Sequence, residues 1–104
     1  MNSLEKLKQL TAWDAVPALT VDDLDELLAA ASIEDANGLA PINEEWTPTY
    51  DLNAAAAQGW LIKAGRSAAV VDAPESGPIT SKVFDNCRAM ARIYAAKRKA
   101  SVVI

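Results

Sequence analysis

The 104-residue chain is predicted to be all-α, a small bundle of three main helices plus a short N-terminal helix, with a long irregular loop of a length that accommodates a short hairpin. Three observations predict it. Apolar residues recur at helical spacing in four segments. Capping residues stand at the starts of those segments and prolines in the connections between them. The only β-type composition is the terminal SVVI, too short to be a core element. At 51% apolar and 23% charged residues the composition is that of an ordinary globular domain with one hydrophobic core. The division expected is a single helical domain over residues 1–99 and an extended tail over 100–104.

Ser3 is a plausible N-cap for the short first helix, in which Leu4, Leu7 and Leu10 recur up to about Trp13. Ala15-Val16-Pro17-Ala18 then breaks it. Thr20 caps a second helix with Asp23 three residues on, an aspartate variant of the capping box. Asp22, Asp23, Asp25 and Glu26 crowd its first turns, where the helix dipole favours negative charge. Val21, Leu24, Leu27, Leu28 and Ala31 form its apolar stripe, which should end near Ser32.

Signals change over residues 33–49. Asn37-Gly38 is a turn dipeptide, and Pro41 and Pro48 forbid a continuous helix. An irregular stretch of that length is either functional or contains local structure, and Trp46 inside it needs a place to be buried. Asp51 can cap the next helix, which starts at Leu52 and carries four consecutive alanines, Gly59 and Trp60. Leu52, Ala55, Ala56, Gly59, Trp60 and Lys63 share a face, so alanine and glycine make a shallow groove beside the indole. Gly59 and Gly65 each cost such a helix roughly 1 kcal/mol relative to alanine, which is sensible where backbones pack closely. Unbroken to Asp72, the helix would be about 30 Å long. Residues 72–79, DAPESGPI, read as a loop. Thr80 or Ser81 then caps a last helix with Val83, Phe84, Cys87, Met90, Ala91, Tyr94 and Ala95 on its apolar face, and Arg88, Arg92 and Lys99 on the other.

Several function classes are disfavoured by residue type. Without histidine the chain lacks the commonest general base and metal ligand. Its one cysteine, Cys87, falls on an apolar helix face, which makes it a buried thiol and not a nucleophile. Acidic residues cluster at helix starts and turns, where capping explains them, and the four glycines are too scattered to cradle a phosphate. A non-enzyme without cofactor or metal is expected. No segment has the roughly 20 apolar residues of a membrane span, and the N-terminus has no signal core, so a cytosolic chain or one assembled in a cytosol is expected.

Charge is unevenly distributed. Residues 1–50 carry ten acids and two bases, net −8, and residues 51–104 carry four acids and eight bases, net +4. One copy's acidic part can therefore face a neighbour's basic part, which favours a defined orientation. Against dedicated DNA binding stands a sequence pI of about 4.6. The tail SVVI reads as a plain frayed terminus or, from its composition, as a strand added to a partner's sheet edge, in which case Lys97-Arg98-Lys99 before it would steer it toward an acidic partner.

The segment WTPTYDLNAAAAQGWLIKAG, residues 46–65, followed by a loop and the helix VFDNCRAMARIYAAKR, resembles the head-tail connector family of tailed bacteriophages, small helical head-completion adaptors. Similarity extends over most of the chain and is best from Trp46 to Arg98. The resemblance implies a structural protein of the virion's head-tail junction, assembled in the host cytoplasm, forming a closed ring of about twelve copies below the portal protein. Such a ring extends the DNA exit channel, lets DNA pass without specific binding, and offers a platform to a stopper or tail-completion protein. It would touch no membrane. Carried over, the portal-gripping segment falls on Lys97, Arg98, Lys99, Ser101, Val102, Val103 and Ile104, and the contact between subunits on Trp46, Tyr50, Ala55, Ala56, Gly59 and Trp60. The chain departs from longer adaptors in having few residues after its last helix. The alternative is a small helical interaction or regulatory module, antitoxin-like, that binds protein or nucleic acid through its basic C-terminal end.

Overall fold

The structure is a computed structural model that describes residues 2–71 and 77–98, with the side chains of 2–67 and 82–98 among them. Four α-helices follow in chain order: α1 (Ser3–Thr11), α2 (Val21–Ala30), α3 (Leu52–Val71) and α4 (Gly77–Lys97). The all-α expectation is met, and no β-strand is present among the described residues.

Helix α3 is the central element, with α1 and α2 packed on it and α4 running antiparallel along it. Its composition follows from this position. A helix approached from several sides is lined with small residues, and Ala55, Ala56, Ala57 and Ala64 are all buried. The helix runs unbroken past Gly65 to Val71, 20 residues and about 30 Å. Asp51 caps its start, accepting from the Ala54 amide at 3.1 Å. Two clusters form the core. Leu7, Leu19, Leu24, Leu27 and Leu28 gather against Ala55 and Ala56, and Trp60 and Ala64 pack against Cys87 and Ala91 of α4.

The helix boundaries differ from the expected ones in three places. Asn2, one residue before Ser3, caps α1, its side-chain oxygen accepting from the Glu5 amide at 2.8 Å. The same helix stops at Thr11 because Ala12 adopts a left-handed φ of 45° and its amide turns back to the carbonyls of Lys8 and Gln9. α4 starts at Gly77, three residues before Thr80, because Pro78 is compatible with a first turn, whose N–H groups have no intrahelical acceptor. Residues 72–76 of the expected loop lie outside the described residues. The α2 capping box is formed as expected, with Asp23 N to Thr20 Oγ1 at 3.1 Å and Thr20 N to Asp23 Oδ2 at 2.7 Å. Val21 departs from its stripe and is 44% exposed, one turn too early to reach the core.

The long loop, residues 33–49, contains no hairpin. Its ends are joined by a single antiparallel bridge between Ser32 and Tyr50 and by the Ile33 amide donating to the Thr49 carbonyl at 2.9 Å. Asp35 organises the rest. Its buried carboxylate accepts from the amides of Asn37 (2.9 Å), Leu39 (3.0 Å) and Thr47 (2.9 Å), gathering three parts of the loop around one side chain. Those bonds, the one from Thr47 first, hold the Asp35 carboxyl below the usual carboxylate range. Trp46 closes the loop from outside, donating its indole N–H to the Ile33 carbonyl at 2.9 Å and meeting the Tyr50 ring edge-on at 5.9 Å.

Candidate functional site

Two constellations of polar residues stand out, and the first is structural. Lys63 is 1% exposed on α3, and its ammonium donates to the carbonyls of Thr11 (3.0 Å), Ala12 (2.6 Å) and Ala15 (3.2 Å). These carbonyls lie at and just beyond the C-terminus of α1, the negative end of its dipole, and the left-handed turn at Ala12 brings the chain round to the ammonium. All three ammonium protons are thereby used. The Trp60 ring lies 4.7 Å away, and its own N–H donates to the Leu10 carbonyl at 3.0 Å. Burial lowers the Lys63 pKa, an effect that the neighbouring Cys87 and Asp14 oppose. Burial also pushes the Cys87 thiol up, which makes it a poor nucleophile at neutral pH. The assembly fastens α1 to α3.

A second tie fastens α2 to the same helix. Arg66 grips Asp23 with both guanidinium nitrogens, at 2.9 and 3.1 Å, and donates to the Ala18 carbonyl at 2.8 Å. This pairing, together with the Thr20 backbone bond, lowers the Asp23 pKa to about 2.

The second constellation faces outward. Where α3 and α4 run side by side they leave an open groove of about 240 Å³. Its floor is made of Ala54, Ala57, Ala91 and Ala95, with the half-exposed Leu61 and the polar Gln58 along one edge. Arg88, Arg92 and Arg98 line the other. All three arginines are exposed, and none forms an ion pair among the described residues. Arg88 lies 5.8 Å from the Phe84 ring centroid. About three turns at the C-terminal end of α4 thus carry three cations beside a floor of methyl groups. Such a surface suits an acidic, weakly apolar ligand.

The chain matches no protein-family profile, no curated protein and no solved structure.

The residues that sequence reasoning assigned to contacts between subunits fall in two groups. Ala55, Ala56, Gly59 and Trp60 are buried within the chain's own core, at 2%, 0%, buried and 7% exposure, where α1, α2 and α4 already occupy their face. Gly59 shows why: a Cβ there would lie 2.8 Å from Thr11 Cγ2, so the close approach its sequence position suggested takes place inside one molecule. That face is corrected from interface to core. Gly65, read the same way, faces open space and serves no close contact. Trp46 and Tyr50 are half-buried and hold the loop together. Of the basic tail, Lys97 and Arg98 are exposed at the end of α4, and Asn53 caps the Lys97 carbonyl at 3.3 Å. Lys99, Ser101, Val102, Val103 and Ile104 lie outside the described residues.

Sequence reasoning placed Lys63 on the packed face of α3 but not its three carbonyl partners, and it missed the role of Asp35 and the arginine groove. The signal for the groove was present: Arg88, Arg92 and the alanines of both helices recur at spacings of three and four. What was missing was the knowledge that α3 and α4 are direct neighbours.

No helix among the described residues is long and apolar enough to cross a membrane.

Proposed function

We propose that this chain is a structural virion protein, a head-tail connector that assembles as a ring below a portal protein, extends the DNA exit channel and offers a platform for tail attachment. The resemblance of residues 46–65 and of the α4 segment to such adaptors suggests the reading, and the small all-helical fold is compatible with it. The observation that carries it is the separation of charge on the folded surface. Asp22, Asp25, Glu26, Glu34, Glu44 and Glu45 are exposed on α2 and the long loop, while Arg88, Arg92, Lys97 and Arg98 are exposed on α4. Head-to-tail repetition of identical subunits needs two different patches that fit each other, and a surface mainly acidic on one element and mainly basic on another, with Asp85 the exposed acid of α4, supports such a contact.

The internal chemistry supports a structural role as well. Lys63, Asp23, Arg66 and Asp35 each spend their charge on holding the fold together. An acidic protein of this kind would present DNA with a channel wall that repels phosphate.

The test is co-expression with a portal protein, where one is encoded beside this chain, followed by affinity purification on the portal. The full chain is expected to copurify, and a chain lacking residues 101–104 to be lost from the complex while keeping its melting temperature. Copurification of the truncated chain at the full level would overturn the assignment of portal contact to the tail. Absence of any complex, together with salt-sensitive DNA binding by the chain alone, would favour the regulatory module.

A further inference from the structure

Among the described residues no element covers the arginine groove. α2, which carries the densest acidic sequence, packs on α1 and α3 and makes no contact with α4 among the described residues, so its carboxylates cannot neutralise the groove of the same chain. We propose that the groove between α3 and α4 is the docking site for the outward face of α2 from a second copy.

Complementarity between the two surfaces is specific. Asp22, Asp25, Glu26 and Ala29 are all exposed and follow the i, i+3, i+4, i+7 spacing of a single helix face. Asp23, the remaining acid of that first stretch, is already paired with Arg66 and points elsewhere. Arg88 and Arg92 are four residues apart on α4, as Asp22 and Glu26 are on α2, so both charge pairs repeat at about 6 Å along their helices. The small Ala29 side chain matches a floor of alanines. Because groove and acidic face are different patches, the contact is heterologous and leaves one of each unsatisfied at the ends, so it repeats until a ring closes or a chain extends. The proposal rests on the connector reading for the expectation that copies repeat head to tail, but it involves no portal.

Sedimentation velocity of the full-length chain, over a concentration series up to about 1 mM and at about 50 and 500 mM salt, tests it. The wild type is expected to self-associate at low salt, with the apparent affinity falling about tenfold or more at high salt. Arg88→Glu/Arg92→Glu and Asp25→Lys/Glu26→Lys are each expected to be monomeric. Mixed in equal amounts they are expected to associate again, since each then offers the groove or helix that fits the other. All four substituted positions are exposed, circular dichroism checks that the variants remain helical, and Arg88→Gln/Arg92→Gln supplies a neutral variant expected to be weakened without repulsion. A monomeric wild type across the series, or two variants that stay monomeric when mixed, would overturn the proposal. So would a groove variant that keeps wild-type association while losing affinity for a duplex DNA in fluorescence anisotropy, since the groove would then serve nucleic acid. Portal copurification is measured separately, so either reading can fail while the other stands.

Discussion

Gly59 and Gly65 show how one residue type serves two ends in one helix. At Gly59 an added methyl group meets the γ-methyl of Thr11, whose hydroxyl is bonded to the Leu7 carbonyl at 2.9 Å and cannot easily move, with Leu27 at 3.4 Å behind it. Gly59→Ala is therefore expected to destabilise the fold by about 1–3 kcal/mol, the overpacking outweighing the gain in helix propensity. At Gly65 nothing lies within 4 Å, and Gly65→Ala is expected to stabilise by about 0.5–1 kcal/mol. Paired urea melts check both signs. Lys63 is the other decisive residue. Lys63→Met keeps the volume of the stem but leaves the carbonyls of Thr11, Ala12 and Ala15 without their donor, so a loss of about 2–4 kcal/mol is expected. Trp60→Ala, removing a 7% exposed indole and its bond to Leu10, should cost about 3–5 kcal/mol, measurable in the same way. None of these long-range partners could be read from periodicity. Lys63 occupies a position that the helical pattern places on the apolar face, yet nothing in the sequence near residue 63 announces that the end of α1, some 50 residues earlier, is aimed at it.

The helices themselves were legible in the sequence. Thr20 and Asp23 formed the expected box, Asp51 capped α3, and the stripes of α2 and α4 fell at Leu24, Leu27, Leu28, Cys87 and Ala91 as their spacing indicated. Local chemistry decides caps and stripes, and local chemistry is what a sequence displays. Residues 33–49 were opaque for the opposite reason. Their order depends on one carboxylate collecting amides from residues up to twelve positions away, which leaves no periodic trace. The loop is therefore expected to be the acid-sensitive element. Asp23 and Asp35 both have folded pKa values below their unfolded values, so the stability they contribute is fully present above about pH 5 and is lost as the pH falls through the folded pKa, which for Asp23 is about 2. Hydrogen exchange of the Thr47 and Leu39 amides, followed by NMR, should accelerate in Asp35→Asn at neutral pH and change little further on acidification, whereas the wild type should show its loss of protection on acidification.

At the scale of the whole molecule, one central helix is held by three different kinds of contact: leucines on one side, a buried ammonium and a bidentate ion pair at the junctions with α1 and α2, and an antiparallel α4 on the other side. The alanines and glycine that suggested a meeting of subunits are explained by that internal crowding. What remains on the outside is an acidic face and an arginine-lined groove, neither satisfied by the other within the chain. Sequence composition displayed the charge split but not which elements present it, because helix neighbours are set by tertiary packing. On the proposed connector reading these surfaces serve repetition around a portal. Electron microscopy of the complex purified on the portal tests it most directly. The expected result is a closed ring of this chain stacked coaxially on the portal, with α2 of each subunit seated against α3 and α4 of the next. A portal ring carrying none of this chain, while the isolated chain binds duplex DNA, would contradict it.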